Sequence, residues 1–261
     1  MTVSLLQAVT ELATLAGNEA NRYFRTGVAV EFKGDGSPVT AADRAAETVA
    51  RDWVRHHFPD DGILGEEFGL EQPEAPRRWV LDPIDGTKSF IHGVPLWGTL
   101  VAIVEGETVL AGAVYAPATQ ELVAAAAGQG AWFNGSRTHV STTAALSGAT
   151  LLTTDARFPD RPLRQARWET LARAVRIVRT WGDCYGYLLL ATGRADIMVD
   201  DQMNPWDAAA VQVVVEEAGG RFTDFRGRST AFGGDSIATN AALDTIVRDV
   251  LSPGGDPGLD V

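Results

Sequence analysis

The chain has 261 residues, of which 45% are apolar, and this is enough to bury the core of one domain or of two closely packed halves. Its 34 acidic and 22 basic residues give a formal net charge of −12, which argues against nucleic acid or an anionic membrane as a partner. The lone cysteine cannot form an internal disulfide, and no signal-peptide pattern or membrane-length apolar run is present, so we expect a cytoplasmic protein.

The first part of the chain has the patterns of two helices joined by a turn. Apolar residues recur at helical spacing between Ser4 and Phe24, which predicts an amphipathic helix. Residues 34–38 read Gly-Asp-Gly-Ser-Pro, which indicates a turn. The stretch from Thr40 to Asp43 then predicts a second helix whose start resembles a capping box.

The middle of the chain is rich in strand patterns. Trp79-Val80-Leu81 is an apolar run that ends at Asp82, and further apolar runs follow it, separated by turn signals. We expect these later runs to form an antiparallel meander, with strands at 99–104, 109–115, 122–126 and 131–133.

The last third mixes strand and helix patterns. We expect strands at 195–199, 221–225 and 236–239, and helices at 207–218 and 241–251. Because no regular alternation of strand and helix occurs, the order favours an α+β layered sandwich over a doubly wound sheet. We expect one domain over 1–251, with packed halves of approximately 1–140 and 141–251, and a flexible tail at 252–261.

The most informative stretch is Asp82-Pro83-Ile84-Asp85-Gly86-Thr87. A buried strand that ends in two acids, with no basic partner nearby, is electrostatically costly unless a cation offsets the charge. Oxygen ligands suit Mg²⁺, and the absence of a Cys/His cluster argues against zinc. If a helix follows, the amides of Gly86 and Thr87 would form an anion site beside the cation.

Three other acidic segments can each be interpreted in two ways. Asp43 lies at the third position of the predicted capping box, Glu66-Glu67 follows Gly65, and Asp207 lies in the first turn of a predicted helix. Acidic residues are common at such positions as caps, solvated turns or complements to the helix dipole. Each segment could equally add a carboxylate to the site at Asp82, and the residues alone leave both interpretations open.

Taken together, Gly65-Glu66-Glu67, the stretch 82–87 and Trp206-Asp207-Ala208 resemble, in order and spacing, the motifs of the inositol monophosphatase family. The resemblance covers nearly the whole chain. It implies a five-layered αβαβα sandwich and a phosphomonoesterase that uses two or three Mg²⁺ ions and is inhibited by Li⁺. It also implies a homodimer and a small phosphate ester as substrate.

The resemblance further implies roles for individual residues. The metal ligands would be four carboxylates and one carbonyl, from Glu66, Asp82, Asp85, Asp207 and Ile84. Thr87, with Asp43 behind it, resembles the pair that orients and helps to deprotonate the attacking water, and Glu67 resembles a supporting residue. The phosphate would bind at Ile84, Asp85, Gly86 and Thr87, and Lys33 falls on a loop that some members close over the metals.

One segment resembles a subgroup of the family. Trp181 to Tyr187 is similar to the form found in histidinol-phosphate phosphatases, and Arg179 resembles a substrate-contacting arginine of that subgroup. Histidinol phosphate carries an amine and an imidazole, for which Asp183 and Asp200 would supply carboxylates. Asp183 could instead stabilise a turn. Inositol 1-phosphate and other small sugar or nucleotide phosphates are the alternative substrates.

Other classes of protein fit the sequence less well. Haloacid dehalogenase-type phosphatases pair their aspartates as Asp-x-Asp, whereas this chain has two residues between Asp82 and Asp85. Cys184 lacks the anion-binding loop of a cysteine phosphatase, and no histidine lies in a serine hydrolase motif. From a different class, a protein-binding regulator with incidental phosphatase activity remains an alternative, because some bacterial relatives act in transcription complexes.

Overall fold

The computed structural model describes residues 4–158 and 161–255 of the chain. Within these ranges the helices are α1 (Leu5–Asn21), α2 (Ala41–His57), α3 (Thr87–Ile91), α4 (Pro162–Ala174), α5 (Asp183–Ala191), α6 (Pro205–Glu217) and α7 (Asp244–Leu251). The strands are β1 (Val30–Phe32), β2 (Pro38–Thr40), β3 (Gly62–Gly65), β4 (Gly69–Glu71), β5 (Arg77–Asp85), β6 (Gly98–Glu105), β7 (Thr108–Ala116), β8 (Glu121–Ala126), β9 (Ala131–Phe133), β10 (Ser136–Thr138), β11 (Thr150–Leu152), β12 (Ile177–Arg179), β13 (Ile197–Asp200), β14 (Gly220–Thr223) and β15 (Ser236–Asn240).

The strands form two large sheets and one small hairpin, in which β1 pairs with β2. The first sheet has the order β10-β9-β8-β7-β6-β5-β3-β4, and its neighbours are antiparallel except for β3 and β5. The second sheet has the order β12-β11-β13-β15-β14, and β11 runs parallel to both of its neighbours. The chain completes the first sheet before it begins the second.

Helices and sheets stack in five layers. Helices α1 and α2 cover the outer face of the first sheet, α5 and α6 lie between the two sheets, and α4 and α7 cover the outer face of the second sheet. This confirms the αβαβα sandwich that the family resemblance implies. The largest apolar core lies around α5 and α6 and includes residues from both sheets.

Strand β6 shows how the sequence produces this layering. Leu100, Ala102 and Val104 pack toward α5 and α6, whereas Val101 and Ile103 pack toward α1 and α2. Both faces of the sheet are therefore covered, which explains why its strands are continuous apolar runs. On β7, Gly112 allows α6 to approach closely, because a Cβ atom there would lie 2.9 Å from the Cα of Ala210.

Several predictions from the sequence are confirmed by the structure. The meander of strands β6 to β9 is present and antiparallel. The second helix begins with a true capping box, in which Thr40 and Asp43 bond to each other's backbone N–H groups. Separately from these predictions, no helix in the described ranges is long and apolar enough to cross a bilayer, and the longest, α1 and α2, have 17 residues each.

Other predictions need correction. The apolar run from Trp79 does not end at Asp82, because β5 continues through Pro83 to Asp85. The patterns also missed α4, α5 and the short strands β1 to β4 and β10 to β12. Ser252, where we expected a flexible tail to begin, is buried and its hydroxyl donates to the carbonyl of Phe225. The rest of the predicted tail, from residue 256, lies outside the described residues.

Candidate active site

An irregularity in β5 brings two aspartates to the same side of the first sheet. On a regular strand, residues three positions apart point to opposite faces. Here Asp82 pairs with Leu100 and Asp85 pairs with Gly98, so β5 has one residue more than its partner strand over this interval. The extra residue reverses the alternation of side chains between the two faces of the sheet. Both carboxylates therefore line one pocket. Pro83 is suited to this position because it has no N–H to leave unpaired.

The third carboxylate comes from the second half of the chain. Asp207 lies in the first turn of α6, where its Oδ2 accepts hydrogen bonds from the backbone N–H of Asn204 at 2.7 Å and from the Asn204 side chain at 3.2 Å. One ligand oxygen from each of Asp82, Asp85 and Asp207 lies within 4.8 Å of the others. The capping contact thus holds Asp207 next to the two aspartates of β5. Asp207 therefore both caps α6 and contributes a carboxylate to the cluster.

No side chain within residues 4–158 and 161–255 neutralises the negative charge of the cluster. None of the three carboxylates forms an ion pair with Lys or Arg in the described part of the chain. Burial, followed by the charges of Glu66 and Asp85, raises the pKa of Asp82 well above its ordinary value. Burial, followed by the charge of Asp183, also raises the pKa of Asp85, and burial raises the pKa of Asp207 to about 6.

Backbone amides hold one oxygen of each carboxylate in place. The N–H of Ile84 donates to Asp82 at 3.0 Å, and the N–H of Cys184 donates to the Oδ2 of Asp85. A set of three oriented carboxylates without a cationic partner suits a hard divalent cation better than zinc, which more often has His and Cys ligands. The residues present therefore fit the divalent metal that the resemblance described above implies.

Glu66, a fourth predicted ligand, lines the same pocket but is held differently. The Nζ of Lys33 lies 2.8 Å from Glu66 and 2.7 Å from Glu67, so one ammonium bridges the two glutamates. This contact brings Lys33 to the site, as its predicted loop position suggested. The ammonium offsets the charge of Glu66, which distinguishes Glu66 from the three clustered aspartates.

The sequence patterns missed Glu47, which holds the Glu66-Glu67 turn from behind. Glu47 is fully buried and accepts hydrogen bonds from the N–H of Glu67 at 2.8 Å and of Phe68 at 3.1 Å. The Nε of Arg51 donates to the same carboxylate at 2.8 Å. A Cβ atom at Gly65 would collide with Glu47 at 2.1 Å, so this glycine is required for the contact. The sequence did contain one indication of the role of Glu47, which is a glutamate on the buried face of a predicted helix.

The predicted pair of Thr87 and Asp43 is not joined by a hydrogen bond here. The hydroxyl of Thr87 donates to the carbonyl of Ile84 at 3.0 Å, and Asp43 accepts from the backbone and hydroxyl of Thr40 at 2.8 and 2.7 Å. The Oδ1 of Asp43 is buried and has no partner among the described residues. Gly86 caps α3 with φ 88°, a conformation that favours glycine, but α3 has only five residues.

The pocket has a volume of about 640 Å³ and includes Ile84, Gly86 and Thr87 among its lining residues. Arg179 does not line it, which corrects our prediction. Arg179 ends the edge strand β12, and its guanidinium is exposed and donates to the carbonyl of Val178. Arg161 brings a guanidinium to the pocket wall instead.

The two predicted substrate carboxylates lie next to the cluster. Asp183 lines the main pocket, and a small adjoining recess is lined by both Asp183 and Asp200. Asp200 is buried, and its two oxygens accept from the N–H of Thr154 at 2.9 Å and the hydroxyl of Tyr187 at 2.8 Å. Burial, followed by the charge of Asp200, raises the pKa of Asp183 to about 7.

Comparisons with known proteins agree with this geometry. The model of the inositol monophosphatase family matches residues 2–252. A histidinol-phosphatase from Chlorobaculum parvum is 45% identical over 90% of this chain and 91% of its own length. A histidinol-phosphatase from Mycobacterium tuberculosis is 41% identical over 86% of this chain and 88% of its own. The solved structure of the extragenic suppressor protein suhB from Bartonella henselae superposes with a TM-score of 0.89 at 29% identity, covering 96% of this chain and 100% of that one.

Proposed function

Because this chain belongs to the inositol monophosphatase family and is a phosphoric monoester hydrolase, we propose that it uses Mg²⁺ to hydrolyse L-histidinol phosphate to L-histidinol and phosphate. The observation that carries this proposal is the recess between Asp183 and Asp200, which is continuous with the carboxylate cluster. Two acids beside the site suit a cationic alcohol better than a neutral polyol.

The proposed metal ligands are Asp82, Asp85 and Asp207, with Glu66 and the carbonyl of Ile84 completing the set. A bound divalent cation supplies positive charge that offsets the phosphate oxygens and lowers the pKa of water. Glu66 would be available as a ligand if the ammonium of Lys33, now 2.8 Å from it, moved away. Two or three ions, inhibition by Li⁺ and a homodimer belong to the same proposal and are supported by family membership.

Four further residues of the chain would handle the water and the ester. We propose that the hydroxyl of Thr87 orients the attacking water and that the unpartnered oxygen of Asp43 accepts the proton, through Thr87 or directly. Glu67 supports the site through Lys33. The N–H of Gly86 is proposed to contact the ester's phosphate.

The alcohol portion of the ester would lie toward Asp183 and Asp200. Asp183 is the nearer of the two to the carboxylate cluster, since it also lines the main pocket. Its carboxylate is proposed to bind the ammonium of histidinol phosphate by a charge-assisted hydrogen bond. Asp200, whose oxygens already accept two hydrogen bonds, adds charge rather than a free acceptor.

A phosphate-release panel tests the proposal. The purified protein with Mg²⁺ is compared on histidinol phosphate, inositol 1-phosphate, fructose 1,6-bisphosphate and 3′-phosphoadenosine 5′-phosphate, with a chelator-treated sample as control. We expect histidinol phosphate to have the highest kcat/KM and activity to disappear with chelator and return with Mg²⁺. A much higher kcat/KM for inositol 1-phosphate would refute the substrate, and full activity without metal would refute the chemistry.

A further inference from the structure

A side cavity of about 250 Å³ lies next to the main pocket, which contains the proposed metal ligands and is called the metal pocket below. Lys88 and Gln202 line both spaces, so the two adjoin. On the far side of Lys88 and Gln202, the cavity is walled by a segment that runs from Thr154 to Phe158. None of these wall residues is needed to hold a metal or the phosphate.

Thr154 connects the cavity to the two carboxylates that flank the metal pocket. Its hydroxyl oxygen accepts from the N–H of Asp183 at 2.8 Å, and its own N–H donates to Asp200 at 2.9 Å. The segment packs tightly here, since a Cβ atom at Gly182 would lie 2.3 Å from the Cα of Thr154. The cavity wall and the two carboxylates are thus one hydrogen-bonded unit.

The wall has an aromatic side and an acidic side. Phe158 is 4% exposed and packs edge-on against Trp168, which fixes the orientation of its ring. Asp155 is half-exposed at the rim and is paired with the exposed guanidinium of Arg157. Asp201 is buried, and its Oδ2 has no hydrogen-bond partner within residues 4–158 and 161–255. A flat ring with N–H donors would meet both surfaces.

We propose that the side cavity binds the part of the substrate remote from the phosphate and selects a nitrogen-containing aromatic ring over a polyhydroxylated one. The inference rests on the proposed function, since histidinol phosphate has an imidazole at the required end. Phe158 contacts the ring face, and Asp155 favours its N–H groups and positive charge. The ammonium of the same substrate lies nearer to Asp183.

Two variants and three esters test this assignment. Phe158→Leu removes the aromatic face but keeps an apolar side chain in the core, and Asp155→Asn removes a rim charge without burying anything. The esters are histidinol phosphate, O-phosphoethanolamine, which lacks the ring, and glycerol 2-phosphate, which lacks ring and amine. Asp52→Asn is the matched control, because Asp52 is also exposed and paired with a nearby arginine, Arg55, but lies on α2.

We expect each cavity variant to raise KM for histidinol phosphate about tenfold, as loss of one specific contact does. The kcat/KM for the two smaller esters should stay within about twofold of wild type, and Asp52→Asn should change nothing. L-Histidinol should also inhibit both cavity variants more weakly than wild type, which is a binding readout separate from turnover.

Three results would overturn the assignment. Unchanged KM for histidinol phosphate in both variants would exclude the cavity as a ring site. An equal loss on all three esters would indicate damage to the metal pocket instead. If the wild-type protein hydrolyses glycerol 2-phosphate but not histidinol phosphate, the proposed substrate fails and the ring site fails with it.

Discussion

The molecule contains two buried groups of acids that differ in how their charge is balanced. In the first, Asp82, Asp85 and Asp207 have no lysine or arginine partner among the described residues. In the second, Asp201 and Asp235 accept from Arg164 at 2.9 and 2.7 Å. Asp82, Asp201 and Asp235 are buried, whereas Asp85 and Asp207 are partly buried, so deeper burial is not what distinguishes the unpaired group.

The way in which the charge is balanced indicates the role of each group. A buried acid that is paired with a fixed guanidinium is part of the fold, and its charge is already balanced. A buried group of unpaired acids is balanced only when a cation from solution binds, so folding and metal binding are coupled there. The hydrogen bonds from Arg164 to Asp201 and Asp235 connect α4 to the second sheet. The aspartate cluster instead brings the two halves of the chain together at the pocket.

Removing a carboxylate from the unpaired group should have the largest effect. In Asp82→Asn we expect kcat/KM to fall by about 10³-fold, because an orienting ligand and its charge are lost. The metal-free variant should nevertheless unfold at a higher temperature than metal-free wild type, since a buried charge is gone. Phosphate release and thermal unfolding in chelator measure the two effects. As the control, Asp196→Asn alters an equally buried acid outside the pocket and should keep its activity.

Breaking the paired group should have the opposite effect on stability. Arg164→Met leaves Asp201 and Asp235 buried without this guanidinium, and we expect the free energy of unfolding to fall by about 3–5 kcal/mol. Urea denaturation with metal present measures it. If Arg164→Met is as stable as wild type, the two acidic groups do not differ in the way described.

The pH dependence of the metal-free protein should follow Asp207 of the unpaired group and the neighbouring Asp183. Burial raises the pKa of Asp207 to about 6 and of Asp183 to about 7, whereas the pKa of an aspartate in the unfolded chain is about 4. Between about pH 4 and pH 7 the folded state therefore binds more protons than the unfolded state. The contribution of Asp207 and Asp183 to stability is greatest below about pH 4 and is lost as the pH rises through 6–7. We expect Tm in chelator to be higher at pH 5 than at pH 7.5. An increase in Tm over that interval would contradict the assignment.

A smaller effect is expected from a substitution at Glu47, which supports the Glu66-Glu67 turn but does not line the pocket. Glu47→Gln keeps the shape but weakens the contacts to the amides of Glu67 and Phe68, so we expect about tenfold weaker Mg²⁺ binding by calorimetry, as for other supporting residues. Glu217→Gln is the matched control, because Glu217 also accepts from two turn amides, those of Gly128 and Gly130, away from the pocket. An equal loss of Mg²⁺ affinity in both variants would show that Glu47 has no specific role in supporting the metal site.

Much of the first sheet and the three clustered aspartates could be predicted from the sequence. The strands of the meander are continuous apolar runs between clear turns, and Asp82 and Asp85 are close in the chain. The link to Asp207 came from the family resemblance, because no local pattern relates residues so far apart. The irregularity in β5 that places both aspartates on one side could not be deduced from spacing, since it depends on pairing with β6.

The missed elements have physical reasons. Helix α5 is almost wholly buried between the sheets, so it lacks the polar face that marks an amphipathic helix. Strands β11 and β12 have three residues each, too few for a periodic pattern. Arg179 was predicted from its neighbours in sequence, and the exposed edge strand that carries it away from the pocket is a tertiary feature. Arg161 was not predicted, because no pattern in the sequence relates it to the aspartates.

The most direct test of the account is the response of the metal-free protein to Mg²⁺. At about 100 times the dissociation constant, binding stabilises the folded state by about 2.7 kcal/mol, which corresponds to a rise in Tm of about 5 °C or more. We predict this rise for wild type and for Arg164→Met but not for Asp82→Asn. An equal rise in wild type and Asp82→Asn, or none in wild type, would show that the three aspartates do not hold the metal.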